Sequence, residues 1–297
     1  MNKVFLHATY DCNARCIHCA VPRKQLYIDF EIFKTLVDSI SMEYLIIGGG
    51  EPLKHQKIKE MIKYASSVTK VKIETNGFLL SEEFLMSIKQ YLFQLNISID
   101  GTEETHNKIR KIQTFEHSIK MIKFAREIGI DVAIWSVIMK DNVSELEKIV
   151  CLAKDIGVNK LSFLYATPVE NCSPNLTIPF EEYIEVVRQI KPQEKDELQI
   201  RIAPYILKDN LDNIPSECLI NDRELLHINP VGEIFPCVLL LDNPKYKLGT
   251  VQSGFEYMQI ENPNICAGLI ESLGEDPREK FGIPICPCRT ISKEWKF

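Results

Sequence analysis

Apolar positions along this chain switch repeatedly between two rhythms. Residues 4–9, 44–47, 71–75, 95–99, 132–139 and 160–164 are short runs rich in Ile, Val and Leu, as expected of buried strands. Between them Ile32, Phe33, Leu36, Val37 and Ile40 recur at helical spacing. So do Ile58, Met61, Ile62 and Ala65, then Phe84, Leu85, Ile88 and Leu92, then Phe115, Ile119 and Ile122. The fourth of these helices runs to Gly129, a residue able to take the left-handed conformation that stops a helix. Asn142-Val143-Ser144-Glu145 reads as a capping box opening a fifth helix, which closes at Gly157. Six strand–helix units predict an α/β fold with a parallel sheet and helices outside it.

After about Pro168 the pattern changes. Residues 171–175 read as a loop, 180–190 as an amphipathic helix and 198–202 as a last strand. Residues 225–229 and 234–238, joined through Val231-Gly232-Glu233, predict a β-hairpin with glycine at its turn. We therefore expect two domains, 1–205 and a smaller α+β one at 206–297. There are no internal repeats beyond the β/α units and no low-complexity segment.

Composition narrows the function. The chain has 297 residues, a net charge of −6 and no long basic run, which argues against nucleic acid as the main partner. No stretch approaches ~18 continuous apolar residues, so no membrane span is expected. There is no signal peptide, and the first strand pattern begins at once, so no leader-binding domain is expected ahead of it. The ten cysteines are clustered at metal-ligand spacings; reduced thiolates in a cytoplasm fit them better than disulfides.

Cys12, Cys16 and Cys19 form a C-x3-C-x2-C loop directly after the first strand, and no fourth cysteine follows until Cys151. Three thiolates can hold three irons of a cubic cluster and leave the fourth iron open, whereas electron-transfer clusters normally take four. A zinc loop is the alternative, although zinc favours C-x2-C pairs and a closed set of four ligands.

With His18 before the last cysteine of that loop, and with Gly48-Gly49-Gly50-Glu51-Pro52 about thirty residues on, the chain resembles the radical S-adenosylmethionine (radical SAM) superfamily. Glu74-Thr75-Asn76-Gly77, Ser98-Ile99-Asp100-Gly101 and His106-Asn107-Lys108-Ile109-Arg110 resemble landmarks of its SPASM/twitch branch. The resemblance covers residues 3–205 strongly and the remainder moderately. It implies a partial (β/α)6 TIM-like barrel whose cysteine loop binds a [4Fe-4S] cluster and S-adenosylmethionine. It also implies an active site at the C-terminal strand ends, where parallel β/α sheets place theirs. Gly49 and Gly50 then let the backbone approach the cofactor closely. Glu51 meets the cofactor's ammonium. Asn76 is a further candidate cofactor contact, Ser98, Asp100 and Arg110 are candidate partners of its ribose or carboxylate, and His18 lines the adenine. Plain turn residues and a surface arginine remain the alternative for Ser98, Asp100 and Arg110, and a loop-filling role for His18.

In the tail, Cys218, Gly232 and Cys237 have the spacing of the SPASM/twitch opening, and Cys286-Pro287-Cys288 closes the set. The C-x-C departs from the branch's usual C-x2-C. Cys218, Cys237, Cys286 and Cys288, with Cys266 as an alternate, are the expected ligands of one auxiliary [4Fe-4S] cluster; a zinc ribbon is the alternative. Cys151 is expected in the core and Cys172 to be incidental.

The resemblance implies cleavage of S-adenosylmethionine to a 5′-deoxyadenosyl radical that takes a hydrogen atom from a substrate. A ribosomally made peptide is the first expectation. Small-molecule dehydrogenation or cyclisation of the molybdopterin-precursor type is the alternative, and an iron–sulfur electron carrier the non-enzymatic one. A flavodoxin- or ferredoxin-type protein is the expected reductant.

Overall fold

All six predicted strands form, and others extend the sheet on both sides. In the computed structural model, residues 3–166, 174–194, 197–203, 225–235, 238, 241–244 and 247–253 are described. The strands are β1 (Lys3–Thr9), β2 (Tyr44–Gly49), β3 (Lys70–Thr75), β4 (Gln94–Ser98), β5 (Val132–Ile138), β6 (Lys160–Tyr165), β7 (Gln199–Ala203), β8 (Leu225–Ile228), β9 (Glu233–Phe235) and β10 (Gly249–Thr250). They make one sheet in the order β10-β9-β8-β1-β2-β3-β4-β5-β6-β7. Neighbours from β1 to β7 are all parallel. β8 pairs parallel with β1, Phe5 opposite His227, while β8–β9 and β9–β10 are antiparallel. The predicted hairpin therefore forms, and it is stitched to the first strand of the main sheet.

The helices are α1 (Phe30–Ser39), α2 (Ile58–Ala65), α3 (Glu82–Ile88), α4 (Glu103–Arg110), α5 (Phe115–Glu127), α6 (Leu146–Asp155) and α7 (Phe180–Ile190). The connections are β/α crossovers, as a parallel sheet requires. Apolar periodicity does not reveal α4, because its buried face is His106, Asn107, Ile109 and Arg110. α5 ends as expected: Gly129 has φ +87°, its N–H bonds the Arg126 carbonyl, and the N–H of Ile130 bonds that of Ala125. That pair of bonds satisfies two end carbonyls.

Two local expectations are corrected. The capping box at 142–145 does not form. α6 starts three residues later, at Leu146, after a 3-10 turn over Val143–Glu145, and Asn142 is fully buried with its amide turned inward. Its Oδ1 accepts the Met139 N–H at 2.9 Å, and its Nδ2 donates to the Asp100 and Val137 carbonyls, both at 2.8 Å. Glu145 reaches instead to Thr102, accepting from its N–H at 2.8 Å and from its hydroxyl. Cys151 is exposed, not in the core. The buried stripe of α6 is Leu146, Ile149, Val150 and Ala153, and one residue beyond Val150 the helix has turned by about 100°.

The core lies between sheet and helices. Val4, Leu6, Leu45, Ile47, Val71, Ile73, Leu95, Ile97, Ile134, Leu161 and Phe163 are buried there against Phe33, Leu36, Met61, Ile62, Leu85, Ile122 and Ile149. The opposite, inner face is different. Phe5, Glu74, Ser98, Trp135, Val137 and Leu164 point there at period two and stay partly accessible. The parallel barrel interiors of complete (β/α)8 folds are filled with side chains; here part of the inner face stays accessible. No helix among the described residues is long and apolar enough to cross a membrane.

Candidate functional site

The cysteine loop leaves the C-terminal end of β1 and is clamped from two sides. On one side the Gly50 N–H bonds the Thr9 carbonyl at 2.7 Å and the Glu51 N–H bonds that of Asp11 at 2.8 Å. A Cβ at Gly49 would lie 2.4 Å from the Thr9 oxygen, and one at Gly50 2.3 Å from the Asp11 oxygen. Gly49 also has φ +119°, a conformation other residues rarely adopt. These glycines thus let β2's end approach the cysteine loop's own backbone closely. On the other side the Arg15 and Ile17 N–H groups bond the Arg110 and Ile109 carbonyls, at 3.2 and 3.1 Å, at the end of α4. Asp11 adds side-chain ties to Tyr27 and, at 2.5 Å, to Lys54.

Cys12, Cys16 and Cys19 are free thiols. The sulfur of Cys12 receives the Ala14 N–H at 3.4 Å and the Asn76 amide at 3.8 Å; that of Cys16 receives Arg110 Nη1 at 3.8 Å. Burial pushes the Cys12 thiol up to about 11, with the charges of Glu51, Cys16 and Cys19 adding to the rise. Burial raises Cys16 too, against the pull of Arg110. Thiols in this state need a metal's charge to become thiolates. Among the described residues no three His, Cys, Asp or Glu side chains converge on a point that could hold a single ion. A cubic cluster takes one thiolate per iron, so its ligands need not converge, and N–H donors aimed at the sulfurs are what such a cluster uses to set its potential. The residues present fit a cluster.

Glu51, at the end of β2, is fully buried. Its Oε1 accepts the Thr75 hydroxyl at 2.7 Å and the Leu53 N–H at 3.1 Å; its Oε2 accepts the Asn76 N–H at 2.9 Å. Three donors leave about one of a carboxylate's four lone-pair sites for a ligand. Burial pushes its carboxyl up to about 7, with those hydrogen bonds and Arg110 opposing. Asn76 faces the cysteine loop, its amide bonding Asn13 Oδ1 at 2.9 Å.

Asp100 and Arg110 pair with each other, Nε to Oδ2 at 2.5 Å, in full burial. Burial alone would raise the Asp100 carboxyl, but Arg110 foremost, then His18, His106 and the Val137 N–H, hold it below the ordinary range. His18 lies close enough to this pair to feel both charges, and burial takes its imidazole down to about 4. Ser98 stands half-buried at the end of β4. All eight proposed cofactor residues and the first three cysteines therefore lie around one strand-end rim. Thr75, Asn13 and the Asp11–Tyr27–Lys54 cluster share it, and spacing alone does not single them out. Cys172, Cys218, Cys237, Cys266, Cys286 and Cys288 lie outside the described residues.

Residues 6–153 match the family model of the radical SAM superfamily. This part of the chain belongs to that superfamily. Members of the radical SAM family are enzymes that use S-adenosylmethionine with a [4Fe-4S] cluster, and the mixed, largely parallel sheet agrees with its partial barrel. The "AdoMet-dependent heme synthase" of Methanosarcina barkeri is 26% identical over 260 residues, covering 77% of this chain and 74% of its own. The "Antilisterial bacteriocin subtilosin biosynthesis protein AlbA" of Bacillus subtilis is 26% identical over 271 residues, covering 83% of this chain; this chain spans only 57% of AlbA. A solved structure described as native anSMEcpe with bound AdoMet and Kp18Cys peptide superposes with a TM-score of 0.69 at 18% identity, over 99% of this chain and 91% of that one. At that identity the likeness establishes the fold.

Proposed function

We propose that this radical SAM protein modifies a ribosomally made peptide. The carrying observation is the clamp on the cysteine loop, with N–H donors aimed at two of its three sulfurs. Cys12, Cys16 and Cys19 would hold three irons of a cluster and leave the fourth to S-adenosylmethionine. Bound there, the cofactor supplies a 5′-deoxyadenosyl radical that takes a hydrogen atom from the substrate. Glu51 offers its remaining lone pair to the cofactor's ammonium, and Gly49 and Gly50 set the loop that presents it. Asn76 orients Cys12. Asp100 fixes Arg110 beside His18 and near Ser98, where a ribose, carboxylate and adenine would be held.

The peptide assignment is supported by the names of AlbA and of the peptide-bound anSMEcpe structure, and by the accessible inner face beneath the rim. Small-molecule chemistry is the second reading, favoured by the fuller coverage of the heme synthase than of AlbA. That reading comprises alcohol dehydrogenation and molybdopterin-precursor-type cyclisation. In residues 206–297 we propose a SPASM/twitch-like domain binding one auxiliary [4Fe-4S] cluster through Cys218, Cys237, Cys286 and Cys288, with Cys266 as alternate. A cytoplasmic flavodoxin- or ferredoxin-type reductant completes the assignment.

Anaerobic reconstitution tests it. The protein should carry about eight irons from two cubic clusters, and about four when Cys12, Cys16 and Cys19 are all replaced by Ala. An unchanged iron count in the triple variant would remove the first cluster from this loop.

A further inference from the structure

The inner face of the sheet holds polar groups that neither the cluster loop nor the strand-end rim uses. His7 on β1 pairs with Gly48 on β2 and Glu74 on β3 with Asn96 on β4, and Gly48 and Glu74 each follow directly on the paired Ile47 and Ile73, so the four stand in one row. A Cβ at Gly48 would lie 3.5 Å from the Glu74 Cβ and 2.7 Å from the Phe5 ring, so the glycine lets the Phe5 ring pack against β2 beside Glu74. His7 and Asn96 are 1% and 3% exposed, yet His7 Nδ1 and Asn96 Oδ1 have no hydrogen-bond partner among the described residues. Glu74 accepts one bond, from Asn96 Nδ2 at 3.4 Å. Among the described residues this leaves most of its roughly four lone-pair sites open to a donor. Buried polar groups in folded proteins are almost always bonded, and three under-bonded ones in a single row mark a place for a polar ligand.

Charge defines the ligand further. Glu74 and Arg201 feel each other's charge, and the Arg201 guanidinium sits 5.8 Å over the Trp135 ring. Lys72 also acts on Glu74, but its ammonium is held over Tyr44 at 4.6 Å. Burial pushes the Glu74 carboxyl up to about 7 and the Arg201 guanidinium down to about 9, so neither tolerates more unpaired charge nearby. His7 is a neutral imidazole, its pKa lowered by burial and by His227. Glu74 and Asn96 precede Asn76 and Ser98 by two residues on their strands. The row therefore lies on the same face about 7 Å below the rim, on the side away from the cluster loop.

We propose that the His7–Gly48–Glu74–Asn96 row, with Arg201, binds an amide group of the substrate. The two N–H groups of a primary amide satisfy Glu74 and Asn96 Oδ1, the single N–H of a peptide bond satisfies one of them, and the carbonyl accepts from the guanidinium. It does so without adding a net charge to a buried site, where an uncompensated one is costly. The amide is either an Asn or Gln side chain or a peptide bond; that choice rests on the peptide reading above, whereas the site itself does not.

Thermal unfolding of the cluster-loaded protein under anaerobic conditions tests this with defined probes. These are N-acetylglutamine methylamide, the norleucine, lysine and glutamate counterparts, and butyramide. At saturation the glutamine probe should raise the Tm by about 3 °C, and the rise should vanish in Glu74→Leu. If that variant loses iron, Glu74→Gln serves, because it turns an acceptor into a donor. An equal rise with norleucine assigns the contact to the peptide bond, and no rise with norleucine assigns it to the side chain. A rise with butyramide alone keeps the site and removes the peptide reading. A larger rise with lysine or glutamate, a rise that persists in both Glu74 variants, or no rise with any probe overturns the proposal.

Discussion

Nη1 of Arg110 lies 3.8 Å from the sulfur of Cys16, a residue 94 positions earlier in the chain. The same guanidinium holds Asp100 through Nε at 2.5 Å. One buried cation therefore serves a carboxylate and a proposed cluster-ligand sulfur together, and the Arg110 carbonyl accepts from the cysteine loop's backbone. The end of α4 positions the loop sterically and electrostatically.

Replacing Arg110 with Met should have two separable effects. Asp100 is left buried and uncompensated, which should cost about 3–5 kcal/mol in urea unfolding. A positive charge and an N–H donor are also lost beside the Cys16 sulfur, which should lower the midpoint potential of the first cluster in an EPR-monitored redox titration. Arg110→Lys should recover part of the potential, as the charge returns, but not the forked geometry. An unchanged potential in Arg110→Met would separate Arg110 from the cluster.

Gly50→Ala is the most direct probe of the clamp. Its Cβ would sit 2.3 Å from the Asp11 oxygen, a backbone atom that cannot turn aside. The expected result is a loss of about 1–3 kcal/mol from overpacking, with poor iron retention after desalting because Cys12 is displaced. Full iron content and wild-type stability would contradict the clamp.

Glu51 predicts a pH dependence. Burial lifts its folded-state pKa to about 7 from an ordinary value of 4.5, so the folded state holds the proton more tightly than the unfolded one. The resulting stability is present below pH 4.5 and is lost as pH rises through 7, about 3 kcal/mol in all. Glu51→Gln should flatten that part of the urea-unfolding profile, although Glu74, also raised to about 7, keeps some slope. Affinity for S-adenosylmethionine should fall up to about tenfold per pH unit below 7 in the wild type, as the carboxylate that meets the ammonium is protonated. In Glu51→Gln the affinity should be weak and flat. Equilibrium titration at pH 6 and 8 checks the sign.

The β/α order is legible in the sequence because each strand and most helices carry the apolar rhythm of their own packing, as in Leu45–Ile47 or Ile58–Ala65. α4 is not, because its buried side makes polar contacts: Asn107 accepts the Thr114 N–H, and Arg110 holds Asp100. The cysteine loop announces its chemistry through spacing, and Gly49, Gly50 and Glu51 announce that something must approach closely. What approaches is a three-dimensional fact, since the Thr9 and Asp11 carbonyls are about forty residues away in the chain. Asn142 misleads for a related reason. A local capping pattern is outcompeted by the buried carbonyls of Asp100 and Val137, which the Asn142 amide reaches.

Asn142→Ala should show how much that buried amide holds. Two carbonyls and one N–H lose their partner beside Asp100, and unsatisfied buried groups cost about 1–3 kcal/mol each. A drop of at least about 3 kcal/mol is expected in urea unfolding. A mere helix cap at this position would cost only about 1 kcal/mol.

The central claim is that Cys12, Cys16 and Cys19 hold a cluster with an iron open to S-adenosylmethionine. Its most direct test is 5′-deoxyadenosine release from dithionite-reduced, reconstituted protein, compared with the Cys12→Ala, Cys16→Ala, Cys19→Ala triple variant whose tail cysteines are intact. The wild type should release 5′-deoxyadenosine and the triple variant none. Release by the triple variant, or none by an iron-replete wild type, would contradict the claim.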